Sequence, residues 1–149
     1  MGDYITQTDL EDVFGETNVA AWSDMEGNRE VDTNRVTKAI AWGESKVVAT
    51  LRRSKYVVPL QAASGSTLDP IVTNWMAVYA GHWLYMHRQI RANEDNTRTE
   101  KLKEETDNEM KEIMTGMANV DLKRIDDRAT TAPSLVIAPV PMPSRSRYT

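Results

Sequence analysis

The sequence predicts a mainly α protein: a small helical bundle of three longer helices plus short N-terminal helices, followed by an extended proline-rich C-terminal arm. Apolar residues return at steps of three and four through three separate stretches, roughly 33–55, 70–92 and 97–116, which is the spacing of a helix face. After Leu122 the composition changes. Four of the six prolines fall between Pro133 and Pro143, and residues 132–149 contain no acid, so an extended, polyproline-like segment is expected there in place of helix or central strand.

A chain of 149 residues with 40% hydrophobic content suits one helical domain, residues 1–122, with an appended arm, residues 123–149. The net charge of −4 argues against a protein whose task is to hold nucleic acid, which needs a concentrated basic surface. The absence of cysteine excludes disulfides, thiolate catalysis and cysteine-ligated zinc. No basic, then apolar, leader opens the chain; Gly2 and Thr6 fit a loose myristoylation pattern, but no polybasic second signal follows. Asn74, His82 and His87 interrupt the longest apolar stretch short of the ~20 residues that a membrane span requires.

In chain order, Thr6 or Thr8 can cap a short helix whose inner face is Leu10, Val13 and Phe14, and Gly15 can end it in the left-handed conformation. Ala20, Ala21 and Trp22 continue as a second short helical turn. The acid-rich stretch from Asp24 to Asp32 has the wrong spacing for an EF-hand: counted from Asp24, glycine falls at the fourth position and Arg35 at the twelfth. A polar turn around Glu26-Gly27-Asn28 is expected, with adventitious divalent-ion binding as the alternative. From Thr33 or Asn34 to about Lys55 runs a helix with Val36, Ala39, Ile40, Val47 and Leu51 on its inner face. Gly43, in its middle, costs about 1 kcal/mol relative to alanine and is explained if another helix crosses closely there. Arg52, Arg53 and Lys55 suit the negative end of the helix dipole.

Tyr56 to Leu60, stopped by Pro59, suits an extended connector or edge strand, and Gln61 to Thr67 a loop. Asp69-Pro70 opens the most apolar helix, expected to reach Ala92-Asn93. It carries two stripes, Val72, Met76, Tyr79, Trp83, Met86 and Ile90 beside Ile71, Trp75, Val78, His82 and Tyr85, so it needs neighbours on both sides. It is either the central helix of the bundle or a subunit-contacting helix. Thr97 to Glu100 offers a capping box for a last helix ending at Gly116, with a narrow stripe of Leu102, Thr106, Met110, Ile113, Met114 and Met117 and an opposite charged face. Such a face is normally solvated; an acidic contact or channel surface is the alternative.

No enzyme is expected, and no cofactor or metal. His82 and His87, five apart on one helix, point about 140° away from each other and cannot share a metal, so a partly buried, hydrogen-bonded His82 is the expectation. No nucleophile elbow, phosphate-cradling loop or zinc-protease motif is present. The arm is too apolar for a solvated linker. Leu135, Val136, Ile137, Pro139, Val140, Pro141, Met142 and Pro143, with Arg145, Arg147 and Tyr148, form a candidate partner-binding strand.

Taken in order, Tyr4-Ile5-Thr6 with Asp9-Leu10, Phe14-Gly15-Glu16, Ser23-Asp24-x-Glu26-Gly27-Asn28 closing on Val31-Asp32, Arg35-Val36-x-x-Ala39-Ile40 and Tyr56-x-Val58-Pro59-Leu60 give a distinctive pattern. It resembles the head-to-tail connector, or adaptor, proteins of tailed bacteriophages, particularly the neck proteins of Mu-like phages. The chain departs from the family in Glu26-Gly27-Asn28, where an Asp-Gly turn is common, and in its longer proline-rich tail. The resemblance implies a ring of identical subunits, a dodecamer, between the portal protein and a stopper or tail-side neck protein in the virion, assembled in the host cytoplasm. DNA would pass through its channel without specific binding, and no membrane would be involved. Trp75, Tyr85, Glu104, Glu105 and Lys111 are the candidate subunit contacts. The alternative class is a small cytosolic regulatory protein that offers its proline-rich arm as a ligand.

Overall fold

The computed structural model describes residues 2–65, 67–88 and 97–125. Among them the chain forms five helices and no strand: α1 (Gln7–Phe14), α2 (Glu16–Ser23), α3 (Thr33–Arg53), α4 (Pro70–Met86) and α5 (Thr97–Thr115). Of the expected arm, residues 123–149, all but the first three residues lie outside the described residues, and so does Ile90.

The helix ends follow local chemistry. Asp9 accepts hydrogen bonds from the Thr6 backbone N–H at 2.6 Å and from its hydroxyl at 2.8 Å, fixing the start of α1. Gly15 ends it at φ 88°, ψ 142°, a positive-φ conformation but not the left-handed helical one expected. Asp32 caps α3 by accepting from the N–H groups of Asn34 and Arg35, and Asp69 caps α4 through Ile71, with Pro70 at the first helical position. In α5, Thr97 is already helical, so its cap falls outside the described residues. At the other end of α5, Met117 N–H bonds to Glu112 O and Gly116 N–H to Ile113 O, a Schellman turn with Gly116 at φ 76°.

The central helix stops sooner than its apolar pattern suggests. His87 leaves helical geometry, and its carbonyl accepts from the Arg35 guanidinium at 2.7 Å while its ring stacks on Trp83. Satisfying that terminal carbonyl from α3 removes the need for another helical turn.

α4 is the central helix of the bundle. Val72, Met76, Ala80 and Leu84 are fully buried, Trp75, Ala77 and Val78 are nearly so, and among the described residues of its two stripes only Ile71 and Met86 are exposed. α3 packs along it at Gly43, where an added Cβ would lie 2.5 Å from Met76 O and 3.0 Å from Ala80 Cβ; the close crossing that explains this glycine is present. Gly81 makes room for the Phe14 ring of α1 in the same way. Phe14, Trp22 and Tyr85 then continue edge to face, each pair 5.3 Å between centroids.

Two long-range ties close the body. Glu44, the only acid of α3, is 7% exposed and accepts from the N–H groups of Asp3, Tyr4 and Ile5 at 2.7–3.1 Å, fastening the N-terminal segment. After α5 the chain returns to the 55–61 connector: Val57 N–H bonds to Lys123 O, Lys123 N–H to Gln61 O and Ile125 N–H to Lys55 O, with Leu122 buried. The connector expected at Tyr56 to Leu60 is therefore paired with the segment that follows α5.

Candidate interaction surfaces

Where the sequence-predicted contact residues fall is decided by α4 and α5. Trp75 and Tyr85 are 1% and 3% exposed, in the chain's own core, because α4 is covered by α5 on one side and by α1 and α2 on another. They are not surface contacts in this conformation. Glu104, Glu105 and Lys111 are exposed on the outer face of α5. The inner stripe of α5 is Thr99, Thr106, Met110 and Ile113; Met114 and Met117, expected as members of it, are 51% and 83% exposed, the latter beyond the Gly116 turn.

Sequence reading missed a polar seam between α4 and α5. The Tyr79 hydroxyl donates to Asp107 at 2.5 Å, Lys103 donates to the other oxygen of the same carboxylate, and the Trp75 indole N–H donates to Glu109. Burial opposes ionisation of Asp107, but the hydrogen bonds from Lys103 and Tyr79 and the charges of Lys103 and Lys111 outweigh it and hold the carboxyl below its ordinary range. Burial, then the hydrogen bond to Asp107, pushes the Tyr79 hydroxyl up. Half-buried His82 is held below the usual imidazole range by burial first and by Lys103 next. Among the described residues no hydrogen bond reaches its ring, unlike the arrangement expected. The only early signal of this seam was Tyr79 and Trp75 on α4 and acids on α5, which the charged-face pattern disguised.

The acid-rich loop is a self-contained turn. Asp24 accepts from the N–H groups of Arg29 and Gly27 at 2.7 Å and of Glu26 at 2.9 Å, and the Arg29 bond leads in holding its carboxyl below the ordinary value. Its oxygens are spent on the loop itself. Ser23 Oγ, accepting from Asp32 N–H, ties the two ends together. Among the described residues no three His, Asp or Glu side chains converge to hold a metal, and no helix is long and apolar enough to cross a membrane.

The two outermost long helices carry different charge. On α3 every exposed charge is positive, at Lys38, Lys46, Arg52 and Arg53, because Glu44 faces inward; the exposed Trp42, its ring 6.2 Å from Tyr79, stands among them. On α5 five exposed acids, Glu100, Glu104, Glu105, Glu109 and Glu112, face three exposed bases, Arg98, Lys101 and Lys111.

The described body is thus a helical protein whose conspicuous charges lie on outward-facing helix surfaces and whose segment after α5 is tied back to the 55–61 connector. Residues 4–137 match the family described as Bacteriophage Mu, Gp36, and the chain belongs to that family. It is a phage protein of the structural or morphogenetic kind, in keeping with the resemblance to Mu-like phage proteins. No curated protein gives a significant match to the chain.

Proposed function

We propose that the chain is a head-to-tail adaptor of the phage neck, a ring of identical subunits, twelve in number, seated between the portal and a stopper or tail-side protein and continuing the DNA channel. The observation that supports this most is the extent of the family match, which runs past Ile125, the last described residue, to Ile137. The shared sequence includes the first apolar residues of the arm, Leu135, Val136 and Ile137, and not the helical body alone. Ile125 is held to Lys55 by a backbone hydrogen bond, so the arm starts from a fixed point on the body. From there an extended strand can reach a portal or neighbouring ring, using backbone hydrogen bonds for affinity and alternate side chains for specificity. Arg145 and Arg147 add charge complementarity to that strand. A body of net negative charge lets DNA slide past without phosphate binding. No catalytic step, cofactor or membrane is part of this function, and the site of action is the virion neck.

Light scattering with negative-stain imaging of the purified chain, alone and mixed with its portal, tests the proposal. A ring, alone or on the portal, is expected. Truncation after Thr131 should leave the helical body folded and weaken portal attachment; unfolding, or attachment unchanged, overturns the role of the arm. A monomer that joins no particle under any condition overturns the adaptor and returns the protein to a regulatory class with a proline-rich ligand arm.

A further inference from the structure

We infer that the ring is closed by the outer face of α3 from one copy docking against the outer face of α5 from the next; the inference rests on the adaptor reading and names the contact it requires. The charges are complementary, basic on α3 and predominantly acidic on α5. Among the described residues Lys38, Lys46, Glu104 and Glu112 have no side-chain partner, and the one ion pair is Lys103–Asp107.

The spacing on the two faces corresponds. Lys38, Trp42 and Lys46 stand at steps of four, and so do Glu104, Asn108 and Glu112. Each triad spans about 12 Å at the rise of an α-helix and winds through the same angle. Laid together in either direction, the ammonium groups meet carboxylates at both ends, and the Trp42 ring falls over Asn108. Trp42 is 39% exposed yet braced against Tyr79, a rigid aromatic of the type that anchors interfaces. The exposed Ala41, Ser45 and Ala49 around it let another helix come close.

The two faces are distinct surfaces of the body, on helices that pack against different sides of α4. α3 lies on the Met76–Ala80 side of α4 and α5 on the Trp75–Tyr79 side, roughly a quarter-turn away around the helix. A copy that presents its α3 face to one neighbour therefore keeps its α5 face for another. This is a heterologous contact, which closes into a ring when the rotation between copies divides the circle.

Two charge-reversed full-length chains test it, Lys38→Glu with Lys46→Glu on α3 and Glu104→Lys with Glu112→Lys on α5, with assembly followed by light scattering, on the portal if the wild-type chain needs it. All four positions are exposed, and circular dichroism checks that the helices remain. Each reversed chain alone should need at least about tenfold more protein to assemble, since like charges then meet at every contact. An equimolar mixture of the two should assemble near the wild-type concentration, because each negative α3 face then finds a positive α5 face. Assembly of either reversed chain alone at the wild-type concentration overturns the interface, as does a mixture no better than its parts. A wild-type chain that never assembles overturns the adaptor reading and this contact with it, which separates the two failures.

Discussion

Replacing Gly43 by alanine should destabilise the protein, although alanine is the better helix former. The new Cβ would sit 2.5 Å from Met76 O, 2.9 Å from Ala80 N and 3.0 Å from Ala80 Cβ. None of these atoms can rotate away, because all belong to the backbone of α4 or are attached directly to it. α3 and α4 must therefore move apart by about 0.5–0.9 Å to restore an ordinary contact. That displacement disturbs a tightly packed seam that includes Val36, Ala39, Ile40, Val47, Val72 and Met76. Overpacking of this kind costs about 1–3 kcal/mol, and a backbone clash belongs at the upper end. Alanine returns about 1 kcal/mol of helix propensity, leaving a net loss of about 2 kcal/mol. For a chain of this size that corresponds to a fall in Tm of about 4–8 °C. Urea and thermal unfolding followed by far-UV circular dichroism, below the concentration at which the chain assembles, measures it. Ala49→Gly on the exposed face of the same helix supplies the propensity effect alone, a loss of about 1 kcal/mol. A Gly43→Ala protein as stable as wild type would refute the close crossing.

Glu44→Ala should destabilise by about 2–4 kcal/mol, because three backbone donors lose a charged acceptor, and should speed hydrogen exchange at Tyr4 and Ile5; slow exchange there would show that another group holds the segment. Stability should fall in two steps on acidification. His82 has a lowered folded-state pKa, so the unfolded chain takes up a proton first, and the contribution present above about pH 6.5 is lost as pH falls below it. Asp107 is also lowered, so its contribution is present above about pH 4 and is lost as pH falls through its folded value. Unfolding curves across this range check both steps, and His82→Gln should remove the upper one alone; an unchanged profile in that variant would refute the role of His82.

The sequence by itself determined which stretches are helical and how α1 and α4 begin. Those features depend on neighbours three or four residues away: apolar spacing along α3 and α4, Asp69-Pro70 at the start of α4, and Gly15 and Gly116 after α1 and α5. It also marked Gly43 as a crossing point and Glu104, Glu105 and Lys111 as surface, since the face that carries them is polar throughout. Only the tertiary structure decided which way ambiguous residues turn. Trp75 and Tyr85 have the composition of contact residues, yet they are core because helices pack on more than one side of α4. Asp107 and Glu109 read as solvated acids until Tyr79 and Trp75, 28 and 34 residues away, placed donors against them. Glu44 gives no local sign of burial, because its partners are N–H groups some forty residues earlier in the chain. Its inward turn is what leaves the outer face of α3 uniformly basic. Local periodicity specifies a helix and its apolar face, but the pairing of polar groups between distant segments is set only when the helices have packed.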